Sequence, residues 1–494
     1  MSAITATYLD MFPDEILIMI CDYVLSEPNT PHAGVNSSMY CLHHAWPNSR
    51  LKDITTPYMH HCIYFDGSAS NLAQIMNGFL LQPETRVWAR VLVLRNMGKR
   101  LDPQNPFKSI EDEFEWMAEA SRRLGLKIED IELPVTSQDG IAAEFRPRLE
   151  PRRPWPYKRL EFLAQVLHKV TKFCYYTNGD WIWPFPTLYK EHLQTLESQS
   201  EVNTIMTEPA SRTVITPVPS ALRSVNHLIM GHGGVIVHCQ NPYLALLPAF
   251  FLPNIRAIQC SNIVCLQPFE DLTPLGAGEP HPHTSPITGL HITSCDIDLD
   301  TLEKFLMLPK ALVEYCYKSS TYIGMNSHTL SAMGQLLSKY QSKSLEILTL
   351  DGAHSSYAQA TPRGPPDERY IAPERIGPLR HFVKLRVISA PLWCLVSCSG
   401  EEIWNLPDVL PQSLEIIKLS IDWCPQLCVG AVQRHLRFMI EKKREMYPRL
   451  AKVEVHLRHI PITKEGPEWD FLYGSFVYYL VDLAMEQNLC LVIH

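Results

Sequence analysis

Residues 410–419, LPQSLEIIKL, contain the pattern that decides the fold. In this stretch Leu414 is followed by apolar residues three and five positions later, Ile417 and Leu419. The same spacing occurs eight times, with starting positions 25 to 37 residues apart. The eight copies are Val225/Leu228/Met230, Ile255/Ile258/Cys260, Ile287/Leu290/Ile292, Leu312/Tyr315/Tyr317, Leu345/Leu348/Leu350, Phe382/Leu385/Val387, Leu414/Ile417/Leu419 and Leu450/Val453/Val455.

Apolar stripes at helical spacing lie between these copies, as at Leu302, Phe305 and Leu306. Each unit is therefore expected to be one short strand followed by one helix. A single unit of this size cannot bury its apolar faces, so neighbouring units must stack to share a core. Leu491 and Ile493 offer a last strand. The pattern predicts an α/β fold with a strand-helix array over residues 221–494.

The amino-terminal 66 residues have a helical pattern instead. Ile16, Leu17, Ile20, Cys21 and Val24 recur at helical spacing, which predicts a helix from Pro13 to Leu25. A second, broken stripe follows, formed by Leu42, Trp46, Leu51, Ile54 and Tyr58. A module of 1–66 is too small to be stable without a partner surface.

Residues 67–220 carry mixed signals. The stretch includes strand-like residues at Val91 and Val93, and helix-like stretches at 114–124 and 158–170. A basic run at 146–159 predicts a solvated loop. We interpret 67–220 as an irregular connector, with early degenerate repeats as the alternative.

Composition excludes several classes of protein. The 494 residues carry a formal net charge of −8, and charged residues make up 19% of them. Disorder over the whole chain is excluded, and the acidic balance argues against a nucleic-acid or membrane binder. Residues 224–255 contain no Asp, Glu, Lys or Arg, but three prolines interrupt them, so no membrane span is expected.

The first ten residues have no Lys or Arg, and no secretory leader is recognisable. We therefore expect a cytoplasmic and/or nuclear protein. In a reducing compartment, most of the 14 cysteines should be buried thiols.

The motifs at the amino terminus carry a family resemblance. Residues 12–25, FPDEILIMICDYVL, resemble the opening helix of the F-box, although Phe12 stands where the family has Leu. Residues 50–54, RLKDI, with TPY at 56–58 and IYF at 63–65, resemble the end of that motif in fungal F-box proteins. Residues 27–42 are longer and more polar than the usual turn. The repeat half resembles the leucine-rich-repeat arrays that these proteins often carry.

This resemblance implies a substrate-recognition subunit of an SCF-type cullin-RING ubiquitin ligase. Its F-box module, residues 1–66, would bind a Skp-type adaptor and through it a cullin. The leucine-rich-repeat-like array, 221–494, would bind an unknown protein substrate. The residues carried over to the adaptor interface are Phe12, Pro13, Ile16, Leu17, Ile20, Leu51 and Ile54. The alternative is that they form the core of the module itself.

A second hypothesis is a leucine-rich-repeat interaction scaffold with no ubiquitin role, whose amino-terminal helices only cap the array. An enzyme is not expected, because no nucleophile elbow, phosphate-binding loop or metalloprotease motif occurs. The Gly-rich turn at 231–234 and the aromatic run WIWPF at 181–185 carry no catalytic signature; the second is either a partner anchor or a core plug.

Metal sites and cofactors are likewise not expected. Cys394 and Cys398 form one CxxxC pair and Cys424 and Cys428 another, but zinc ribbons favour two intervening residues. The His-Cys cluster near the amino terminus contains two pairs of adjacent histidines, which project to different faces of a helix. Its members are Cys41, His43, His44, His60, His61 and Cys62. We therefore predict no catalytic, cofactor-binding or metal-binding residues.

Overall fold

The computed structural model describes residues 12–26, 49–95, 105–126, 155–176, 224–231, 237–239, 246–265, 282–295, 297–318, 327–351, 375–396, 406–422, 429–458 and 475–494. Parallel strands alternate with helices, so the predicted α/β class is confirmed. The chain divides into two compact units. The first comprises Met1–His238, Leu252–Ile255 and Gly276–Gly278, and the second comprises Cys239–Phe251, Arg256–Leu275 and Glu279–His494.

The first unit begins with two helices and continues with strands separated by helices. Its elements are α1 (Asp14–Ser26), α2 (Ser49–Met59), β1 (Cys62–Phe65), α3 (Ala69–Leu81), α4 (Thr85–Trp88), β2 (Val91–Arg95), α5 (Ile110–Arg123), α6 (Trp155–Val166), β3 (Lys172–Tyr176) and β4 (His227–Gly231). A short strand β5 (Val237–Cys239) lies at the boundary between the units in sequence. The helix predicted from Pro13 to Leu25 is thus confirmed as α1.

Strands β1 to β4 pair in parallel in the order of the chain. Leu92 of β2 pairs with Phe173 of β3, which in turn pairs with Leu228 of β4, and all three side chains are buried. Parallel strands separated by helices are therefore present in residues 91–176, within the stretch 67–220 interpreted from sequence as a connector, while β1 lies at the end of the predicted 1–66 module. The boundaries predicted at residues 66 and 220 stay predictions.

A buried ion pair connects the helices of the first unit. The Arg159 guanidinium on α6 donates to both carboxylate oxygens of Glu113 on α5, at 2.6 and 2.9 Å. It also donates to the carbonyl oxygen of Gly67, 3.0 Å away, just before α3. Arg159 closes the basic run that was expected to be solvated, and that expectation is wrong for Arg159, because its side chain is covered by α5 and the β1–α3 turn.

The second unit repeats the strand-helix arrangement. Its elements are a 3-10 helix (Leu247–Phe251), β6 (Ala257–Ser261), β7 (Ile263–Cys265), β8 (Gly289–Thr293), α7 (Leu299–Met307), β9 (Glu314–Lys318), α8 (Ser327–Gln341), β10 (Ile347–Asp351), β11 (Val387–Pro391), α9 (Leu392–Leu395), α10 (Leu406–Val409), β12 (Ile416–Asp422), α11 (Val429–Glu441), α12 (Lys443–Met446), β13 (Lys452–Arg458), α13 (Ser475–Glu486) and β14 (Cys490–Ile493).

Strands β6, β8, β9, β10, β11, β12, β13 and β14 form one parallel ladder in that order. The second apolar position of each repeat forms a continuous row across it, and all but the last member are buried. The row is Ile258, Leu290, Tyr315, Leu348, Ile388, Ile417, Val453 and Leu491. A core of this kind is shared between neighbours, because each strand contributes side chains that only the adjacent strands and helices cover.

One predicted copy of the pattern is out of register. The sequence assigned Phe382, Leu385 and Val387 to it, whereas Ile388, not Val387, pairs with Leu348 of β10 and is buried. Leu385, Ile388 and Ala390 are therefore the equivalent positions. Phe382 is a further buried residue in the turn before β11. The spacing is ambiguous because this turn adds an apolar residue of its own.

Helix α7 shows how the helix of one repeat is capped and how its apolar side is buried. The Asp298 carboxylate accepts a 2.8 Å hydrogen bond from the Thr301 amide, which caps the helix amino terminus. Leu302, Phe305 and Leu306 are then buried one helical turn apart. The following helix α8 packs against α7. Within the described residues, no helix is both long enough and apolar enough to cross a lipid bilayer.

Buried polar groups join successive repeats. The Gln341 amide nitrogen at the end of α8 donates to the carbonyl oxygen of Leu306, 2.7 Å away, and its amide oxygen accepts from the Leu312 N–H at 2.9 Å.

Gly334 on α8 lies so close to residue 376 that an added Cβ would be 1.8 Å from the Ile376 carbonyl oxygen. These contacts fix the distance between α8 and its neighbours.

Candidate functional site

Helix α1 leaves large apolar side chains at the surface. Phe12 is 42% exposed, Ile16 37%, Ile18 42% and Met19 64%. We refer to these four residues as the amino-terminal surface. Exposed apolar residues gathered on one short helix and just before it are characteristic of interaction sites, because single exposed residues are common but clusters are not.

The sequence of α1 makes this exposure unavoidable. Residues 16–21 are six consecutive apolar residues, ILIMIC, which cover the full circumference of a helix. A helix that packs along one side can bury only part of such a run. In α1 the buried members are Leu17 and Cys21, one turn apart, while Ile16, Ile18 and Met19 face outward.

Polar contacts fix α1 relative to α2. The Arg50 guanidinium at the start of α2 donates from Nε to the Asp14 carboxylate at 2.7 Å. A second donor, Nη2, reaches the carbonyl oxygen of Phe12 at 2.9 Å. The Pro13 carbonyl oxygen accepts from the Ile16 and Leu17 amides, which forms the first turn. The exposed side chains are therefore presented by a helix with a fixed start.

The seven residues predicted for the adaptor interface occupy different environments. Phe12, Pro13 and Ile16 are exposed, Ile20 and Ile54 are half-buried, and the side chain of Leu51 lies outside the described set. Leu17 is 3% exposed and belongs to the core of the helical pair. Sequence reasoning missed Ile18 and Met19. The uninterrupted run at 16–21 is the signal that indicates them, because it exceeds what one buried face needs.

A cleft of about 450 Å3 adjoins this surface. It is formed by α1, α2, α4 and the residues leading into β2. Its lining residues are Ile18, Asp53, Ile54, Pro57, Tyr58, His61, Trp88 and Arg90. The carbonyl oxygen of His61 accepts from the Arg90 and Val91 amides, at 2.9 and 3.0 Å, so the end of α2 is joined to β2. The cleft offers aliphatic and aromatic walls to a partner side chain.

The second unit presents a different kind of surface. Alternate strand residues point away from the core row, and we refer to them as the ladder face. Most of them are half-buried, whereas Cys316 and Glu454 are buried. The members of the ladder face from β6 to β13 are Gln259, His291, Cys316, Thr349, Ser389, Lys418 and Glu454. A largely polar row on a regular sheet offers hydrogen-bonding and charged groups to a protein ligand.

Ion pairs organise one end of the ladder face. Glu454 of β13 accepts hydrogen bonds from Lys452 and Lys418, and the Lys418 nitrogen lies 3.1 Å away. These hydrogen bonds, first from Lys452 and then from Lys418, lower the pKa of Glu454 to about 2. Nearby, Arg386 donates to Glu415 at 2.8 Å. The carboxylates of Glu454 and Glu415 are therefore ionised at neutral pH and form ion pairs with neighbouring Lys and Arg side chains.

No group of three or more His, Cys, Asp or Glu residues suited to a metal ion occurs in the described part of the chain. Cys394 is buried, and Cys398, Cys424 and Cys428 lie outside the described residues. Of the His-Cys cluster, Cys41, His43 and His44 also lie outside them, while the His60 ring lies 6.0 Å from that of Trp88. Residues 181–185 and 232–234 are likewise not described.

The buried thiols have environments that disfavour the thiolate. Burial raises the pKa of Cys260 well above its ordinary value, with a further contribution from nearby Cys295. Burial also raises the pKa of Cys316 to about 11. Neutral, buried thiols pack as small apolar groups and are poor nucleophiles. Cys260 therefore packs in the core of the repeats, and Cys316 packs as a neutral, buried member of the ladder face.

No family model matches the sequence, and no curated protein matches it significantly. The F-box resemblance consequently depends on the motif residues at 12–25 and 50–65 alone. Chemically, the described surfaces are suited to binding: one is apolar and helical, and the other is polar and built on parallel strands.

Proposed function

We propose that this chain is a substrate receptor of an SCF-type ubiquitin ligase. Its first two helices bind a Skp-type adaptor, and the adaptor connects the chain to a cullin. The strand-helix array, a leucine-rich-repeat-like solenoid in this proposal, binds a protein substrate. The chain acts by binding and carries out no catalysis itself.

The exposed apolar face of α1 is the observation that carries this proposal. Phe12 and Ile16 are exposed at positions that match the F-box motif, and Met19 extends the same face by one turn. Ile16 and Met19, three residues apart, lie on one side of α1, and Phe12 lies just before its first residue. Covering them with an adaptor would remove apolar surface from water, at about 25 cal/mol per Å2.

Substrate binding by the array is supported by the ladder face. Leucine-rich-repeat arrays bind proteins through extended surfaces, and here each strand adds a ladder-face residue to one continuous row. The row contains basic, acidic and hydroxyl groups, including Lys418, Glu454 and Ser389. Such a row suits a protein ligand, because it spreads many weak contacts along successive strands.

A second function, an interaction scaffold with no ubiquitin role, is favoured by a different observation. Leu17 and Cys21 are buried, and Arg50 ties α2 to the start of α1. In this alternative the two helices serve as a cap for the strands that follow. The two functions differ in whether the outward face of α1 binds anything.

Adaptor binding is tested by mixing the full-length chain with a recombinant Skp-type adaptor and measuring affinity by calorimetry. We expect Ile16→Asp and Met19→Asp each to weaken binding at least tenfold, which corresponds to about 1.4 kcal/mol. Leu81→Asp serves as the matched control, since Leu81 is an 83% exposed apolar residue on α3. Leu17→Asp is unsuitable, because a buried charge would unfold the helical pair.

Failure of the wild-type chain to bind the adaptor, or equal binding by all three variants, would overturn the receptor function. Deleting residues 1–59, which removes α1 and α2 and keeps strand β1, then tests the scaffold. A cap predicts a lower melting temperature for the remaining strands, whereas an adaptor module predicts little change. Affinity capture under proteasome inhibition identifies substrates that accumulate on the array.

A further inference from the structure

Strand β14 is the last strand of the ladder of the second unit, and one of its edges is unpaired among the described residues. Among the described strands it pairs only with β13. The amides of Cys490 and His494 donate to the carbonyl oxygens of Ala451 and Val455, so these residues point toward β13. Because successive residues of a strand point to opposite sides, Leu491 and Ile493 direct their N–H and C=O groups to the free edge.

The flank of helix α13 beside this edge is apolar and exposed. Tyr479 faces α11, since the Arg437 guanidinium lies 5.6 Å from the centre of its ring. Leu480 and Ala484 are buried toward the strands. At 100° per residue, Tyr478 and Met485 then lie on the side of α13 away from α11, above the free edge. They are 72% and 69% exposed.

Helix α13 itself is acidic, while Lys443 and Arg444 of α12 donate to backbone carbonyl oxygens at its carboxyl end. Helix α13 contains Asp482 and Glu486 and no basic residue. Both carboxylates are exposed, and neither has an ion-pair partner within the part of the chain that is described. Asp482 lies between Tyr478 and Met485 on the helix surface, one turn from each.

We propose that the β14 edge binds an extended polypeptide segment rich in Lys and Arg, which adds to the ladder as a further strand. Its backbone pairs with the free groups of Leu491 and Ile493. Its helix-facing side chains lie along Tyr478 and Met485, with their cationic heads at Asp482. Long basic side chains suit this surface, because their aliphatic stems cover apolar area while the charge stays in water.

Charge distinguishes this occupant from a second copy of the chain. In a two-fold dimer through β14, two α13 helices would face each other, and each carries two carboxylates and no cation. Like charges placed together oppose association. A basic segment instead supplies the opposite charge. The proposal does not depend on adaptor binding, since the surface lies wholly in the second unit.

The test begins with a phage-displayed library of random twelve-residue peptides, selected on the full-length chain. We expect the selected peptides to be enriched in Lys and Arg and to lack central prolines. The best peptide is then synthesised, and its affinity is measured by fluorescence anisotropy. Raising the salt concentration should weaken binding, because the contact is partly electrostatic.

Variants then separate backbone pairing from charge. Ile493→Pro removes an N–H that points to the free edge and leaves the bonds to β13, so we expect at least tenfold weaker binding. Asp482→Asn should weaken binding three- to tenfold and reduce its salt dependence. Asp300→Asn, at an exposed acid on α7, is the control and should have no effect. Thermal melts show whether Ile493→Pro is folded.

A peptide N-methylated at alternate amides tests the same pairing without changing the protein, and it should not bind. Enrichment of acidic or proline-rich peptides, or equal binding of the methylated peptide, would overturn the proposal. So would a wild-type dimer that Ile493→Pro dissociates, since a second copy would then occupy the edge. Ile16→Asp should leave peptide binding unchanged, which separates this test from that of the adaptor.

Discussion

Helices α1 and α7 both carry strong apolar patterns, but only α7 buries its pattern. In α7, Phe305 and Leu306 are fully buried, and the Phe305 ring stacks on that of Phe250 at 5.3 Å. In α1, Ile16 and Met19 face outward although they belong to an unbroken apolar run. The difference lies in the neighbours: α7 packs against α8 and against Phe250, whereas α1 packs against α2. Apolar sequence therefore predicts a helix, and its neighbours decide what is buried.

The largest change in the free energy of unfolding is expected from truncating one buried side chain of α7. Phe305→Ala removes a fully buried aromatic side chain and should lower the free energy of unfolding by about 3–5 kcal/mol. Ile16→Ala, on the exposed face of α1, should change it by no more than about 0.5 kcal/mol. Urea denaturation of both variants measures the contrast. Similar losses would mean that α1 is as well covered as α7.

Removing one partner of the buried ion pair should cost nearly as much. Glu113→Gln leaves the Arg159 guanidinium buried without its counter-charge, and we expect a loss of about 3 kcal/mol of unfolding free energy. Glu415→Gln is the matched control, because its partner Arg386 is exposed and such surface pairs contribute at most about 1 kcal/mol. Chemical denaturation compares the two; an equal, small effect would show that Arg159 is solvated.

Two helical glycines provide the next contrast. Gly334→Ala in α8 places a methyl group against the Ile376 carbonyl oxygen and should destabilise the protein by about 1–3 kcal/mol. Gly78→Ala in α3 has nothing within 4 Å of the added atom, and it should stabilise by up to about 1 kcal/mol. Melting temperatures that shift in the same direction would contradict this pair of predictions.

The smallest predicted effect is the pH dependence of the stability that Glu454 of the ladder face contributes. Because hydrogen bonds from Lys452 and Lys418 lower the pKa of Glu454 to about 2, its ionised form stabilises the folded state. This contribution is complete above the unfolded-state pKa, about 4.3, and is lost as the pH falls toward 2. We expect less than about 1 kcal/mol, since the lysines are exposed. Glu454→Gln should flatten the profile between pH 5 and 2.

The outcome at the repeats shows what could be predicted from sequence. Leu345, Leu348 and Leu350 were assigned correctly, because strand residues two apart share a face and both strand positions are buried. The copy at Phe382 was placed out of register, because a buried turn residue has the same apolar character as a strand residue. Parallel pairing with β10, which removes this ambiguity, joins residues about forty positions apart.

The candidate surfaces were only partly predictable. The motif identified Phe12 and Ile16, but it could not separate them from Leu17, which the helical pair buries. Arg159 was expected in solvent because its sequence neighbours are basic, whereas Glu113 lies 46 residues away in sequence. Ile18, Met19 and the β14 edge were not predicted, since exposure depends on what the rest of the chain fails to cover.

By itself, the amino-acid sequence determined the α/β class, the helix at α1 and the strand positions of the repeats, because these depend on spacings of a few residues. Tertiary structure alone decided the register at β11, the buried Arg159–Glu113 pair, and which face of α1 and which edge of β14 stay open. The local spacing of apolar residues predicts which residues can lie on the same face of a helix or strand. Only contacts between distant segments decide whether that face is buried or left for a partner.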